Sequence, residues 1–379
     1  MPELWIADFS SPWWFVPVTI LGACVGSFLN VVIHRLPRGL SVNQPKRSFC
    51  PHCQKDIAWY HNIPLLSWLL LRARCASCQT KIPFRYWLVE CLTAALFALA
   101  WHFHDVRIAP LLFLWIALAV AVAFIDAEHQ IIPIHLTAAG SVIALAYAAW
   151  QPGLLDLFAP RDPQDLWWHG PVDAGLGWVV GFFSLWAVVL LGKWAFGKKS
   201  VKFDQAVDWE LREPKTDEES LVFHCDGEDI PWPDLFYRAS DQLILECPKI
   251  LLDGKKVDGG RLIIREGELV MPAGEVIALE KIRALSGQTT LAIIPREAMG
   301  MGDPHLLGMI GAFLGAPAVL FTIAMSSFYA IIAAVLGRIG FGKALPFGPF
   351  LLLAALTWIL GGWRWVHVYL DWTFGLANP

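Results

Sequence analysis

Apolar runs long enough to cross a hydrocarbon layer occur near residues 14–34, 86–103, 109–126, 131–150, 173–196 and 347–370, and a still longer one covers 304–337. About 20 apolar residues in an α-helix match a hydrocarbon thickness of roughly 30 Å. In lipid a spanning backbone must satisfy its own hydrogen bonds, so a mainly α-helical bundle is the expected solution. The 304–337 run is too long for one untilted span and is broken by Gly315-Ala316-Pro317, so it reads as a short helix followed by a full one, making eight membrane segments. Composition agrees. Hydrophobic residues make up 56% of the chain and charged ones 16%, mean hydropathy is +0.51, and soluble domains carry roughly 25% charged residues. A polytopic membrane protein is expected. No short basic stretch precedes the first run, which opens after Glu3 and Asp8, so it reads as a retained span and not a cleaved signal peptide.

The net charge of −4 hides a segregation, because residues 198–297 hold 34 of the 62 charged side chains. Net charge therefore says little about partners, and nothing points to nucleic acid. Orientation follows from Lys and Arg. Residues 35–85 hold nine of them (Arg35, Arg38, Lys46, Arg47, Lys55, Arg72, Arg74, Lys81, Arg85) against one acid, Asp56, which places that segment in the cytoplasm. Alternation then puts the 151–172 loop, with Asp156, Asp162, Asp165 and only Arg161, outside. Lys193, Lys198, Lys199, Lys202, Arg338 and Lys343 fall inside.

Two carboxylates stand at the ends of apolar runs: Asp126 in ALAVAVAFIDAEHQIIP and Asp303 in MGMGDPHLLGMIGAFLG, 177 positions apart. A charged side chain at the centre of a membrane helix costs roughly 2.5–3.5 kcal/mol on insertion scales, so function is the default expectation. Under the topology above both lie at the cytoplasmic face. If folding joins them, their like charges force them to share a proton, as in aspartic proteases. The alternative is that each merely caps a helix at the membrane surface.

Cys50-Pro-His-Cys53 and Cys75-Ala-Ser-Cys78 form two Cys-x-x-Cys knuckles with 21 residues between them. Each knuckle offers two thiolates from one tight turn, which suits tetrahedral zinc. Fifty residues cannot bury a large core, so metal binding supplies the missing folding free energy. A reducing cytoplasm disfavours the rival reading of two disulfides. His52 is expected to face solvent. Cys24 and Cys91 lie in apolar spans as small hydrophobes, and Cys225 and Cys247 are isolated.

These residues resemble the bacterial type IV prepilin peptidases, or leader peptidase/N-methyltransferases, intramembrane aspartic proteases of the GxGD type. The resemblance rests on GSFLNVVIHRLP (26–37), CPHC, WYHNIPLLSWLLLRARCASC (59–78), FRYWLVE (84–90), FIDAEHQIIP (124–133) and GMGDPHLLGMIGAFLG (300–315). It implies cleavage of a basic leader from type IV prepilins or pseudopilins at the cytoplasmic face of the inner membrane. N-methylation of the new N-terminus with S-adenosylmethionine would follow, and contact with pilus or secretion assembly machinery is a further possibility. It implies Asp126 and Asp303 as the catalytic dyad, Cys50, Cys53, Cys75 and Cys78 as structural zinc ligands, and supporting places for Gly300, Gly302, His305 and Glu90. Gly300 and Gly302 lack a Cβ and allow the backbone to approach closely beside Asp303. Glu90, inside the second span, needs a partner, for which Arg85 is the candidate if its role is structural.

The chain departs from the family's pattern at Ile134 and His61, where the family usually has Asp, and at His305, where it usually has Lys. A histidine supplies charge only when protonated, so a lower-pH optimum than in Lys-bearing relatives is expected. Methyl transfer rests on the resemblance alone, since no Gly-rich dinucleotide-type loop is present. Two other classes remain open: a proton-coupled transporter, which would be expected to show internal repeats, and a non-catalytic zinc-bearing assembly protein.

The chain is therefore divided into a first span (1–34), a zinc-binding segment (35–85), a membrane core with Asp126 (86–197), a soluble cytoplasmic insertion (198–297) and a membrane core with the Gly-Met-Gly-Asp motif (298–379). The insertion has 14 basic and 20 acidic residues. Its alternating runs at 242–246, 261–266 and 289–295, with turns at Asp253-Gly254 and Gly259-Gly260, predict a small β-rich domain.

Overall fold

The computed structural model describes residues 12–45, 47–104, 106, 108–150, 168–196, 198–212, 221–236, 241–295, 300–337 and 345–374. Glu3, Asp8, Lys46, Asp156, Arg161, Asp162, Asp165, Arg338 and Lys343, used above for orientation, lie outside the described residues.

In chain order, α1 (Phe15–Arg35), α2 (Leu66–Leu70), α3 (Phe84–Phe103), α4 (Ala109–His129), α5 (Ile134–Trp150) and α6 (His169–Phe196) come first. Ten strands follow: β1 (Lys198–Arg212), β2 (Val222–Cys225), β3 (Glu228–Pro231), then after the short α7 (Trp232–Leu235) β4 (Leu243–Cys247), β5 (Lys249–Leu252), β6 (Lys255–Val257), β7 (Gly260–Ile264), β8 (Glu268–Val270), β9 (Val276–Ala278) and β10 (Leu285–Pro295). The chain then forms α8 (Gly302–Leu314), α9 (Ala316–Leu336), α10 (Gly348–Thr357) and α11 (Trp363–Phe374), the last two joined through a π-helical turn in which Gly361 has φ +118°. Two compact units result, one of residues Met1–Trp186 and Met301–Pro379, the other Ala187–Gly300.

Among the described residues, six helices are long and apolar enough to cross a membrane: Phe15–Arg38, Phe84–Phe103, Ala109–His129, His169–Gly192, Ala316–Leu336 and Gly348–Val366. The protein is a multi-pass membrane protein. Of the eight expected segments two are shorter. The α5 helix has 17 residues. The α8 helix has 13, about 20 Å at 1.5 Å per residue, too short to cross alone. The α8–α9 break falls at Gly315, whose φ of +83° a residue with Cβ rarely adopts.

Within the helical unit α1 packs on α3 and α4, α5 on α8, and α10 on α4 and α9. The approach of α6 to α8 is made backbone to backbone: a Cβ added at Gly311 would lie 2.0 Å from Gly177 O, and one at Gly181 would lie 2.4 Å from Leu307 O. Small residues admit this closeness, and in lipid such packing is a main source of helix association. Gly311→Val is expected to lower the Tm of the detergent-solubilised protein, overpacking costing about 1–3 kcal/mol. Gly175→Ala, where a Cβ meets nothing within 4 Å, should leave it unchanged.

The second unit is one antiparallel sheet in the order β3-β2-β1-β10-β4-β7-β8-β9, with β5 on β10 and β6 on β5. The long β1 and β10 pair from Lys198↔Pro295 to Glu210↔Ser286, with a bulge between Lys202 and Val207. Alternate residues Trp209, Phe223, Leu243, Leu245, Ile250, Leu262 and Ile264 fill its core, as the two-residue period of a half-buried strand requires. The β5–β6 hairpin turns on Asp253 (φ +48°) and Gly254 (φ +78°), a pair suited to a two-residue turn with both φ positive. Burial pushes the thiols of Cys225 and Cys247 up to about 11. Alkylation at pH 8 should therefore miss both in the native protein and reach them after denaturation, read by mass spectrometry.

Candidate active site

Asp126 is buried in the last turn of α4, which Gln130 closes in the left-handed conformation (φ +54°) with its N–H donating to Asp126 O at 2.8 Å. Its Oδ2 accepts the Gly348 N–H at 2.9 Å. Gly348 is the first residue of α10, so the carboxylate faces a helix N-terminus, where N–H groups lack intrahelical partners and the dipole favours negative charge. A Cβ at position 348 would sit 2.7 Å from Asp126 Oδ2, which leaves room for glycine only. The sequence reading did not single out Gly348. Its signal is the Pro346-Phe347-Gly348-Pro349 run, a helix-start pattern with a proline in the first turn.

Asp303 is buried at the second position of α8, and its Oδ1 has no hydrogen-bond partner among the described residues. The preceding Gly302 lies so close to α5's approach that a Cβ there would be 2.7 Å from Ile132 Cβ, while Ile132 Cδ1 is 3.2 Å from where a Cβ on Gly348 would be. Ile132 thus touches both the residue before Asp303 and the residue that binds Asp126. The close-approach rationale holds for Gly302 but not for Gly300, where a Cβ would meet nothing within 4 Å. His305 follows Asp303 by two positions, about 200° around the helix, and its ring meets the edge of Phe182 at 5.0 Å between centroids.

Glu90 does not pair with Arg85. Five positions apart on α3, the two point about 140° away from each other, since helix neighbours are three or four apart. Arg85 Nη1 instead donates to Glu128 Oε2 at 2.6 Å. Glu90 Oε2 accepts the N–H of Leu65 at 2.7 Å and so holds a turn in which Leu65 has φ +64°. A second residue missed from the sequence is Arg35, buried, whose Nη1 donates to Ser41 O, Val42 O and Pro45 O at 3.2, 3.0 and 3.1 Å. Its basic neighbours suggested only a solvated orientation signal.

The two cysteine knuckles share one backbone design. Cys50 N–H donates to Lys55 O at 3.0 Å and Cys75 N–H to Thr80 O at 2.9 Å, while Gln54 N–H returns to Cys50 O at 2.8 Å and Gln79 N–H to Cys75 O at 3.0 Å. Gln54 and Gln79 take matching φ values of +56° and +58°. The four sulfur atoms lie within 4.8 Å of one another, and Cys50 Sγ and Cys78 Sγ are 3.8 Å apart. A tetrahedral ion with Zn–S bonds of about 2.3 Å sets sulfurs about 3.8 Å apart, whereas a disulfide needs about 2.05 Å. The donor set therefore fits zinc, and His52 is exposed. Cys78 Sγ lies 3.3 Å from Thr80 Oγ1, and the Thr80 hydroxyl and N–H hold this thiol down at about 6.

Together these features define a polytopic membrane protein with two buried carboxylates at helix ends and a separate four-thiolate knuckle pair. Residues 20–103 match the family model described as the bacterial peptidase A24 N-terminal domain. The chain is similar to a prepilin leader peptidase/N-methyltransferase of Myxococcus xanthus, 40% identical over 201 residues, covering 52% of this chain and 54% of the relative. For the protein of the same name in Pseudomonas aeruginosa the figures are 37% identity over 218 residues, 51% and 70%. For that in Klebsiella pneumoniae they are 36% over 190 residues, 48% and 76%. The matched part thus spans about half the length of the Myxococcus relative. No solved structure matches. The chain belongs to the prepilin leader peptidase/N-methyltransferase family of enzymes.

Metal analysis of the purified protein is expected to find one zinc per chain, absent from the Cys50→Ser, Cys75→Ser double variant. Chelation should expose the 35–85 segment to proteolysis before the rest of the chain, because its own apolar core is small.

Proposed function

We propose that the protein is an aspartic endopeptidase of the bacterial inner membrane. It removes the basic leader from type IV prepilins or pseudopilins at the cytoplasmic face and then methylates the new N-terminus. What supports the hydrolytic step is that two buried carboxylates stand in unlike settings: Asp126 accepts a helix-start N–H, and Asp303 keeps an oxygen without a partner among the described residues. A donor to one carboxylate favours its charged form. Asp126 is accordingly the ionised member and Asp303 the proton carrier. Water between them gives a proton to Asp126 as its oxygen bonds to the scissile carbonyl carbon, while Asp303 protonates the carbonyl oxygen. The tetrahedral diol then collapses, the C–N bond breaks, and the leaving amine takes the proton held on Asp126. The supply of a proton back to Asp303 from the diol restores the pair.

Cys50, Cys53, Cys75 and Cys78 would hold a zinc ion, which would fix the fold of the 35–85 segment. S-adenosylmethionine, when bound, supplies an electrophilic methyl group. Its transfer to the substrate amine would leave the donor as a thioether and release one amine proton to solvent. The bilayer holds the substrate's apolar helix, and pilus or secretion assembly components are natural partners of the acidic β-rich unit.

Asp126→Asn and Asp303→Asn are each expected to abolish leader cleavage of a prepilin peptide in detergent, by at least about 10³-fold given the terms such pairs contribute, with zinc content unchanged. Mass spectrometry showing cleaved peptide from both variants would overturn the hydrolytic assignment. It would leave a transporter or a non-catalytic assembly protein in its place.

A further inference from the structure

A groove of about 340 Å³ runs between α1 and the loop that follows it, and neither Asp126 nor Asp303 lines it. Its wall on α1 is formed by Cys24, Phe28, Val31 and Arg35. Steps of four, three and four residues put these side chains on one face of the helix. Cys24 is exposed and Phe28 is 54% exposed, so this end of the groove is an apolar strip open to whatever surrounds α1. The strip rises about 16 Å from Cys24 to Arg35 at 1.5 Å per residue, close to half of a hydrocarbon core roughly 30 Å thick. Because α1 is long and apolar enough to span and Arg35 is its last residue, the groove begins at lipid depth and ends at a membrane surface.

That upper end is basic. Arg35 and Arg47 line it together with Ser48, and no carboxylate does. Arg47 is exposed. Arg35 is 5% exposed; its Nη1 donates to three loop carbonyls, and the Phe49 ring stands 5.6 Å from its guanidinium carbon. Carbonyl dipoles and a ring face attract a cation without neutralising it. Among the described residues neither arginine has a carboxylate partner, and a buried charge without a counterion is costly. The groove therefore calls for an anion at its top and hydrocarbon below.

Few molecules supply both. Inorganic phosphate or a nucleotide leaves the strip beside Phe28 bare. A basic leader peptide is repelled by the two guanidinium groups. A second copy of the chain, or a partner's apolar helix, covers Phe28 and brings nothing to Arg35. A glycerophospholipid of net negative charge fits along its whole length, since guanidinium groups match phosphate oxygens and basic residues beside a span attract anionic lipid.

We propose that this groove is a binding site for one anionic glycerophospholipid, its phosphate at Arg47 and Arg35 and one acyl chain along Val31, Phe28 and Cys24. The site is independent of the hydrolytic assignment and holds for either orientation of α1.

The zinc-loaded full chain in lipid-free neutral detergent is titrated with phosphatidylglycerol, with phosphatidylcholine and with inorganic phosphate, and adducts are counted by native mass spectrometry. The first phosphatidylglycerol is expected to bind at least about tenfold more tightly than the first phosphatidylcholine. Arg47→Gln should lower that affinity about fivefold and Arg47→Glu should lower it further, with zinc content reporting an intact fold. Arg38→Gln removes an exposed charge at the same end of α1 that does not line the groove, and should leave the affinity unchanged. A phosphatidylglycerol carrying a diazirine in mid-chain should label residues 24–31. Equal binding of the two lipids overturns the site. Equal losses in Arg47→Gln and Arg38→Gln overturn it as well, in favour of a diffuse surface attraction. Phosphate that competes as well as the lipid removes the acyl strip from the proposal, and a lipid-free dimer would give the groove to a second copy instead.

Discussion

A carboxylate inside an apolar helix bundle needs a donor that does not bring its own large side chain, and the Gly348 N–H meets that need for Asp126 at 2.9 Å. Much of the helical unit's interior follows from this bond. It brings the start of α10 to the end of α4, and it forbids a Cβ at position 348. Ile132 occupies the space between Gly348 and Gly302, which puts the start of α8 beside the same donor–acceptor pair. A different residue at 348 would push α10 away and strand a charged or protonated acid in a medium where unpaired polar groups cost several kcal/mol.

The cysteine-bearing segment between α1 and α3 obeys a different constraint. Few of its side chains are buried, so ion-pair and backbone bonds, and a cysteine cluster fit for a metal, take the place of a core. Arg35 gathers three carbonyls of the loop that follows α1, and Glu90 holds the turn at Leu65. The Arg85–Glu128 pair ties α3 to α4 two residues beyond Asp126.

Helical segments were legible because an apolar run of about 20 residues has few other solutions in lipid, and the Gly315 break was visible for the same reason that it exists, a positive φ. The cysteine knuckles were legible because spacing alone defines their geometry. The Asp126 and Asp303 motifs drew attention as charge in apolar surroundings. What stayed hidden depends on backbone groups and long-range pairing. Gly348 acts through its N–H from 222 positions away, and no side-chain type announces that. Arg85 was assigned to Glu90 from sequence proximity, whereas Glu128 lies 43 positions on. In the β-rich unit β4 and β7 were visible from alternation, but the 15-residue β1 was not. Its bulge between Lys202 and Val207 shifts the phase of the pattern halfway along.

The bond between positions 126 and 348 also sets an order of events at the ribosome. Chains are made from the N-terminus, so α4 is in the bilayer long before the glycine that completes its carboxylate has been translated. An unfinished or prematurely terminated polypeptide carries both acids and the metal knuckles, yet lacks the amide that organises the first acid. The bond to Asp126 is thereby deferred until the chain has been made through residue 348.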